Sequence, residues 1–343
     1  MKGDAGMSLA TAYLGLTLSH PVVAAASPLS ASVEGIVRLA DAGAAAVVMA
    51  SVYEEQIAAQ ELAEAALWSA GQESHAEMGA YFAPQAQARV LDGRLNTLRR
   101  AAERAGVPVI ASLNGCTDEG WLDFARQMEQ AGASAIELNF SHIATDITQS
   151  AHAVEAEYAD VVRRVCAGVG IPVSVKLPST FTAPGHVVRS LLDNGAAGVV
   201  LFSRFYGPGL DIAVMEPDER LCLSTPAELN LTLMWLSLLS ARLGGSFAAG
   251  CGVWSAADVV RCLLAGASVV TTASALLERG PGHIGTLVAG LRAWMHAQGH
   301  TSLADFQGRC AARGTPEQAR AFVRREYYRL MTLPVERMTV TGA

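Results

Sequence analysis

The chain alternates short apolar segments with amphipathic helical segments along most of its length. Eight segments rich in Val, Ile and Ala have the length and near-continuous hydrophobicity of strands that are buried on both faces, as in a parallel sheet. These segments are residues 21–27, 45–51, 107–115, 133–141, 171–179, 196–204, 246–252 and 268–274. Such strands predict a sheet that helices cover.

The segments between these strands carry the signals of helix ends. Residues 32–43, for example, begin at Ser32, which can cap a helix, and end at Gly43, which can stop one. Eight strand-and-helix units in a chain of 343 residues predict an α/β fold. The economical arrangement of these units is a (β/α)8 TIM barrel.

Three segments exceed what a minimal barrel needs. Residues 11–20 predict an N-terminal hairpin at the bottom of the barrel. Residues 52–94 and 205–224 form long excursions after the second and sixth strands. Because barrel enzymes build their sites at the carboxyl ends of the strands, both excursions are predicted to be lids. No linker composition interrupts the chain, so residues 1–343 are predicted to form a single domain.

The composition argues against several classes of protein. The net charge of −7 predicts binding to neither nucleic acid nor an anionic membrane surface. None of the six cysteines is in a CxxC motif, so the sequence predicts neither a zinc site nor an iron–sulfur cluster. The chain has no apolar run of about 18 residues and no secretory signal pattern, which predicts a cytoplasmic protein.

Small residues end the last two predicted strands. Gly250, Cys251 and Gly252 follow the seventh strand, and Ala273 and Ser274 follow the eighth. Turns of this kind expose backbone N–H groups near a helix start, which is the usual phosphate cradle of a TIM barrel. The alternative is a pair of tight turns that bind no ligand.

Lys176 lies inside an otherwise apolar strand, VSVKLPS. A buried ammonium without a partner is unfavourable, so this lysine is predicted to be functional or paired. It could contact the negative edge of a cofactor ring, or it could be a Schiff-base nucleophile. The alternative is a structural ion pair with a carboxylate such as Glu137.

Asn114 and Asn139 end the third and fourth predicted strands, and His142 follows three residues after Asn139. Side-chain amides at neighbouring strand ends can form paired hydrogen bonds with the edge of a heterocycle. The histidine could act as an acid or a base near neutral pH.

These residues, in this order, resemble the dihydroorotate dehydrogenase superfamily of FMN-dependent TIM barrels. The resemblance covers nearly the whole chain, and residues 248–307 are especially similar to the dimeric class of these enzymes. It is closest to a divergent subfamily usually labelled dihydroorotate dehydrogenase-like. The motifs that carry this closer resemblance are ASPLS, SVYEEQI, ASLNG, VLFSRFY and LSTPAELNLTLMW.

The resemblance implies FMN as the cofactor and names its binding residues. The family's phosphate site matches the two small-residue turns, and the lysine of the family's VKLPP motif, which touches the flavin ring, matches Lys176. The complete set of implied FMN contacts is Ala26, Ser27, Ser51, Asn114, Asn139, Lys176, Ser203, Gly250, Cys251, Gly252, Ala273 and Ser274.

The same resemblance shows where this chain departs from the family. His142 stands where the family has its catalytic Cys or Ser, so His142 and Lys176 are the implied catalytic residues. Ala50 replaces a lysine at the end of the second strand, and Ala144 replaces an asparagine after the base. Implied substrate contacts are Asn139, Ser203 (itself in place of an asparagine) and Arg204.

The sequence therefore predicts an FMN-dependent oxidoreductase, related to the enzymes of pyrimidine metabolism, that acts on a small molecule other than dihydroorotate. One alternative is a flavin- or ligand-binding barrel without catalytic activity, and another is a Schiff-base lyase that uses Lys176. A homodimer is implied by resemblance alone. The chain carries no NAD motif and no cluster cysteines that would identify the second electron partner.

Overall fold

A computed structural model of the chain describes residues 6–55, 86–115, 118–140, 144–204, 209–218 and 222–332. Most of the lid predicted at 52–94 lies outside the described residues, as do residues 205–208 and 219–221 of the second predicted lid and the candidate base His142.

The strands of the described residues are, in chain order, β1 (Thr11–Tyr13), β2 (Leu16–Leu18), β3 (Val22–Ala24), β4 (Val47–Val48), β5 (Val52–Tyr53), β6 (Val109–Asn114), β7 (Ala135–Asn139), β8 (Val173–Pro178), β9 (Gly198–Ser203), β10 (Gly209–Asp211), β11 (Glu216–Asp218), β12 (Ser246–Ala249) and β13 (Val269–Thr272). The α-helices are α1 (Val33–Asp41), α2 (Ala86–Arg104), α3 (Asp118–Gln130), α4 (Ala151–Gly168), α5 (Pro184–Asp193), α6 (Leu229–Leu239), α7 (Ala256–Leu264), α8 (Ser274–Arg279), α9 (His283–Gln298) and α10 (Pro316–Met331).

Eight parallel strands form a closed barrel with flanking helices, so the chain is an α/β TIM barrel as the sequence predicts. The strand order is β4-β3-β13-β12-β9-β8-β7-β6, and β6 pairs with β4 to close the ring. Each of the eight predicted segments contains one of these strands. None of the described helices is both long and apolar enough to cross a membrane.

Contacts within the chain group its residues into two compact units. The first unit comprises residues 1–22, 178–189 and 199–343, and the second unit comprises residues 23–177 and 190–198. The assignment of residues 1–343 to a single domain stays a prediction.

The first unit begins with the antiparallel pair of β1 and β2, in the segment predicted as a hairpin. Its two turn residues, Leu14 (φ 53°) and Gly15 (φ 77°), have the left-handed conformation of a two-residue hairpin turn. Thr11 Oγ1 donates to the carbonyl oxygen of Ser268 at 2.9 Å, and Leu14 N donates to Ser246 Oγ at 3.0 Å. The hairpin thus contacts the amino ends of β12 and β13.

Part of the first predicted excursion proves to be helical. The first lid is predicted to extend to residue 94, but residues 86–94 form the first half of α2. The Asp92-Gly93 pair resembles a turn signal, yet a glycine inside a helix is tolerated at about 1 kcal/mol. The residues around it are mainly good helix formers, and the helix continues through the pair to Arg104.

In the first unit, α7 begins with a reciprocal cap that also fixes the turn after β12. Ser255 Oγ accepts a hydrogen bond from Asp258 N at 3.3 Å, and Asp258 Oδ2 accepts from Ser255 N at 2.9 Å and from Trp254 N at 3.2 Å. Asp258 is buried, and its Oδ1 accepts from Arg261 at 2.7 Å. This one carboxylate therefore ties the turn to the helix.

Replacing Asp258 by alanine is expected to lower the free energy of unfolding by about 2–3 kcal/mol, because buried backbone donors lose their acceptor. Urea denaturation of the full chain measures this change. Asp41→Ala, which removes an exposed carboxylate at the end of α1, is the control. Equal losses in the two variants would show that the capping role of Asp258 is wrong.

Candidate active site

In the second unit, polar side chains form two rows on one face of the sheet. The pairing register sets Ser112 beside Glu137 and Glu137 beside Ser174. Two residues further along the strands, it sets Asn139 beside Lys176, with Asn114 at the end of the neighbouring strand β6. Because side chains alternate across a strand, these residues share a face. We call them the polar sheet face.

The residues that alternate with the polar sheet face are apolar, which explains why the sequence of these strands is largely hydrophobic. Leu113, Leu138 and Val175 lie level with one another and are buried on the opposite side of the sheet. A barrel strand buried on both faces would normally be apolar throughout. The alternation of polar and apolar residues near the carboxyl ends of three strands therefore marks this face as a candidate binding site.

Lys176 and Glu137 form a buried ion pair on the polar sheet face. Lys176 Nζ lies 3.7 Å from Glu137 Oε1, with 15% of the lysine side chain and 3% of the glutamate side chain exposed. This is the pairing that the structural interpretation of Lys176 predicts. At this separation the contact is electrostatic and too long for a hydrogen bond.

Two acceptor atoms on this face are buried without a hydrogen-bond partner in the described part of the chain. They are Glu137 Oε1 and Asn139 Oδ1. A buried polar atom without a partner lowers the stability of a protein by roughly 1–3 kcal/mol, and native proteins seldom leave one unsatisfied. The arrangement is therefore suited to a ligand that brings its own N–H or O–H groups.

The other candidates of the second unit lie at the ends of β3 and β4. Ser51 Oγ is 2.8 Å from Ser112 Oγ, so its hydroxyl extends the first row of the polar sheet face. Ala26 and Ser27 follow β3 and are half-buried. Ser27 is held in place because its N–H donates to Ser30 Oγ at 3.2 Å, and Ser30 Oγ donates to its carbonyl at 3.0 Å.

Aromatic packing fixes Phe140, which lies two residues before the candidate base. The ring of Phe140 stacks on Tyr158, with centroids 4.1 Å apart, and lies 5.1 Å from Trp121. Burial raises the pKa of Tyr158 to about 12, so its phenol is neutral at physiological pH. His142 itself stays a prediction, because it lies outside the described residues, and Ala144 is exposed.

In the first unit, the turn after β12 depends on its two glycines. A Cβ atom on Gly250 would lie 2.8 Å from the carbonyl oxygen of Phe202, and one on Gly252 would lie 2.7 Å from Leu229 N. Between them, Cys251 has a φ of 66°, which is unfavourable for a residue with a side chain. The backbone of this turn is therefore closely packed and strained.

Ser224 connects the turn after β12 with the turn after β13. Its hydroxyl accepts from Gly252 N at 3.4 Å and donates to Ser274 Oγ at 2.9 Å, while its N–H also donates to Ser274 Oγ at 3.0 Å. Trp254 Nε1 donates to the carbonyl of Ser224 at 2.9 Å. Two of the predicted phosphate-binding residues, Gly252 and Ser274, are thus brought together around one hydroxyl group.

Arg204 forms an ion pair at the base of the second predicted lid. Its Nε lies 3.0 Å from Glu228 Oε1, and its Nη1 donates to the carbonyl of Cys222. The Cys251 thiol is 3.8 Å from the same Oε1 of Glu228. Burial, and then the nearby Glu228 carboxylate, raises the pKa of this thiol to about 11. A substrate carboxylate at Arg204 would have to compete with Glu228.

The structure adds three residues that the sequence did not single out as candidates. Ser112 pairs with Ser51, Ser224 joins the two small-residue turns, and Glu228 pairs with Arg204. The sequence gives only a weak indication of these three residues. Ser112 alternates with apolar neighbours in ASLNG, and Ser224 and Glu228 lie in the LSTPAELN motif, where Thr225 and Glu228 form a capping box. In the described residues, no group of three His, Cys, Asp or Glu could hold a metal ion.

Comparison with known proteins identifies relatives of one kind, although no family model matches the chain. The chain is 31% identical over 220 residues to the putative dihydroorotate dehydrogenase A (fumarate) of Aeropyrum pernix, and the aligned residues cover 62% of this chain and 70% of that protein. It is 25% identical over 224 residues to the catalytic subunit of dihydroorotate dehydrogenase B (NAD(+)) of Bacillus cereus, and the aligned residues cover 64% of this chain and 72% of that protein. The corresponding protein of Thermoplasma acidophilum is 24% identical over 217 residues, covering 61% and 70%.

Replacing Glu137 by glutamine is expected to lower the free energy of unfolding by roughly 3 kcal/mol, because it leaves the buried Lys176 ammonium without a counter-charge. Combining it with Lys176→Met should recover most of this loss, since no unpaired charge is then left buried. Both are measured by urea denaturation.

Glu34→Gln is the matched control for this experiment. Glu34 pairs with Arg104 at the same distance, 3.7 Å, but 65% of its side chain is exposed. Exposed ion pairs contribute little to stability, so the free energy of unfolding of this variant should stay close to that of the wild type. A similar result for Glu137→Gln would contradict the assigned role of the buried pair.

Proposed function

The chain belongs to the dihydroorotate dehydrogenase family, and on this basis we propose that it is an FMN-dependent oxidoreductase that acts on a small substrate other than dihydroorotate. The relatives support an oxidoreductase. The observation that carries the cofactor assignment is the buried acceptor of Asn139, which lacks a partner in the described residues and lies beside Lys176 in the strand register.

The residues of the polar sheet face fit the ring of FMN. An isoalloxazine ring has an edge with one N–H donor and several acceptor atoms. Asn139 Oδ1 would accept from such a donor, and the Lys176 ammonium would donate to an acceptor. The side chains proposed for this end of the cofactor are Ala26, Ser27, Ser51, Asn114, Asn139 and Lys176.

Residues of the first unit fit the phosphate group. Gly252 N–H and the hydroxyl of Ser274 both hydrogen-bond to Ser224 and are therefore close to each other. Convergent backbone and hydroxyl donors are typical of anion sites. The charge of Glu228, whose carboxylate lies 3.8 Å from the Cys251 thiol, is balanced by Arg204. The residues proposed to surround the phosphate end of FMN are Ser203, Gly250, Cys251, Gly252, Ala273 and Ser274.

When bound, FMN supplies the capacity to accept or donate a hydride. His142 would take or return the proton that accompanies this transfer, since an imidazole has an ordinary pKa of about 6.5 and exchanges protons near neutral pH. Lys176 would hold the ring in place and balance negative charge on it, and Asn139 would orient the ring and the substrate.

The pocket proposed for the substrate differs from that of dihydroorotate-binding relatives. By resemblance, Ala50, Ala144 and Ser203 stand where the family has one lysine and two asparagines. A ligand whose polar groups lose these partners is discriminated against strongly. We therefore expect a less polar substrate, which Asn139 and Arg204 would contact.

A barrel that binds flavin without catalysing a reaction is the second candidate. Ser51 is the remaining polar residue at the family's lysine–hydroxyl position, and its hydroxyl is engaged with Ser112 at 2.8 Å. The Schiff-base lyase finds less support, because Lys176 is paired with Glu137.

The purified chain is expected to show visible flavin absorbance or to acquire it on adding FMN. FMN should bind more tightly than riboflavin, which lacks the phosphate. Ser274→Ala should reduce the ratio of the FMN affinity to the riboflavin affinity about ten-fold, since a hydrogen bond to a charged group contributes roughly 1.5 kcal/mol. Fluorescence titration measures both affinities. A colourless chain that FMN cannot reconstitute would refute the proposal, and an equal loss for both ligands would contradict the role of Ser274.

Dihydroorotate is expected not to reduce the bound FMN at an ordinary turnover rate, as followed by anaerobic stopped-flow absorbance. Orotate formation at such a rate would show that the proposed change of substrate is wrong. His142→Ala should retain FMN but abolish its reduction by any dihydro compound that reduces the wild type. If no compound exchanges hydride with the oxidised or the photoreduced wild type, the non-catalytic alternative is favoured.

A further inference from the structure

Glu137 is a buried carboxylate whose presence is not explained by stability. Only 3% of its side chain is exposed, and its Oε1 accepts no hydrogen bond from the described residues. Replacing a buried ion pair by apolar residues of similar volume is often neutral or stabilising, so the barrel core does not need a carboxylate at this position. A role in the neighbouring site accounts for this charge.

The hydroxyl groups next to Glu137 have other partners. Ser112 and Ser174 flank it in the strand register. Ser174 Oγ donates to a backbone carbonyl oxygen at 3.2 Å, and Ser112 Oγ is 2.8 Å from Ser51 Oγ. Within the described chain, the ammonium of Lys176, 3.7 Å from Oε1, is the charged group paired with Glu137. The carboxylate therefore acts mainly on this lysine.

Lys176 lies one row closer to the carboxyl ends of the strands than Glu137. It stands beside Asn139 in the register, two residues beyond Glu137 on the same face. Two residues along a strand and one strand spacing separate the Cα atoms of the pair by about 8 Å, so the two side chains lean towards each other. The lysine is thus the nearer charge to a ligand at the strand ends, and the carboxylate stands behind it.

The long separation of the pair leaves the N–H groups of Lys176 available to a ligand. At 3.7 Å, Nζ donates no hydrogen bond to Glu137 Oε1. The Coulomb attraction remains, and it is stronger in a buried site than in water because the effective dielectric constant is lower. A ligand that faces Lys176 therefore meets a hydrogen-bond donor whose positive charge is partly balanced from behind.

We propose that Glu137 is a positioning residue that acts through Lys176 to set the reduction potential of the bound flavin. This inference rests on the proposed function, in which Lys176 faces the ring of FMN. Reduction adds negative charge to a flavin ring, and charges near the ring tune its potential. The ammonium favours the reduced form, and the carboxylate behind it weakens this preference. Glu137 therefore keeps the potential lower than Lys176 alone would set it, which makes the reduced flavin a stronger hydride donor.

Anaerobic reduction of the full chain with bound FMN tests this role, with dithionite as the reductant and a dye of known potential as the reference. The measured quantity is the ratio of the affinity for reduced FMN to the affinity for oxidised FMN. Glu137→Gln should raise this ratio at least ten-fold, which is about 30 mV for a two-electron couple. Glu137→Asp keeps the charge but withdraws it by one methylene group, so it should raise the ratio by less.

Adding Lys176→Met to Glu137→Gln should reverse the direction of the change. With both charges removed, the loss of the nearer one dominates, so the ratio should fall below the wild-type value. Altered packing at residue 137 does not predict shifts of opposite sign. Thermal unfolding followed by circular dichroism establishes that each variant is folded, and Glu137→Asp gives the sign of the change if Glu137→Gln is not folded.

Glu34→Gln is the matched control, because it removes a carboxylate from an exposed ion pair of the same length, and it should leave the ratio unchanged. An unchanged or lower ratio in Glu137→Gln, or in Glu137→Asp where that variant serves, would overturn this inference while the FMN assignment stands. A wild type that FMN cannot reconstitute would overturn both, and the missing flavin absorbance would show this before any reduction.

Discussion

The two-residue period of the side chains in β6, β7 and β8 determines how this fold can be a closed barrel and also carry a polar candidate site. Parallel pairing aligns Glu137 with Ser112 and Ser174, and it aligns Asn139 with Lys176. A slip of one residue would turn all these polar groups towards the helices and bring leucines into their place. The register therefore keeps the core apolar and also assembles the candidate site.

Much of the fold could be predicted because it depends on local patterns. Each barrel strand is a short apolar run, and α1 lies between its cap at Ser32 and the left-handed Gly43. In α3, Trp121 and Met128 lie seven residues apart, on one face of the helix, and both are buried. The error at residues 86–94 has a local cause as well, since Asp-Gly inside a helix resembles a turn.

The candidate site could be predicted only in part, because its contacts join residues that are distant in the chain. Lys176 stood out as a charge in an apolar strand, and Glu137 could be suggested as its partner. The hydroxyl pairs of Ser51 with Ser112 and of Ser224 with Ser274 span 61 and 50 residues, and no short motif announces them. Serine is common in tight turns, so its presence alone does not distinguish a ligand contact from a cap.

The ion pair of Arg204 with Glu228 has a consequence for how the family can diversify. Arg204 leaves β9, and its contacts with Cys222 and Glu228 join both ends of the intervening segment before α6 begins. Since the ends are already held together, lengthening the segment adds only a small closure entropy. Insertions here can change the length of the segment while β9 and α6 keep their positions, so the segment is an exchangeable part of the barrel.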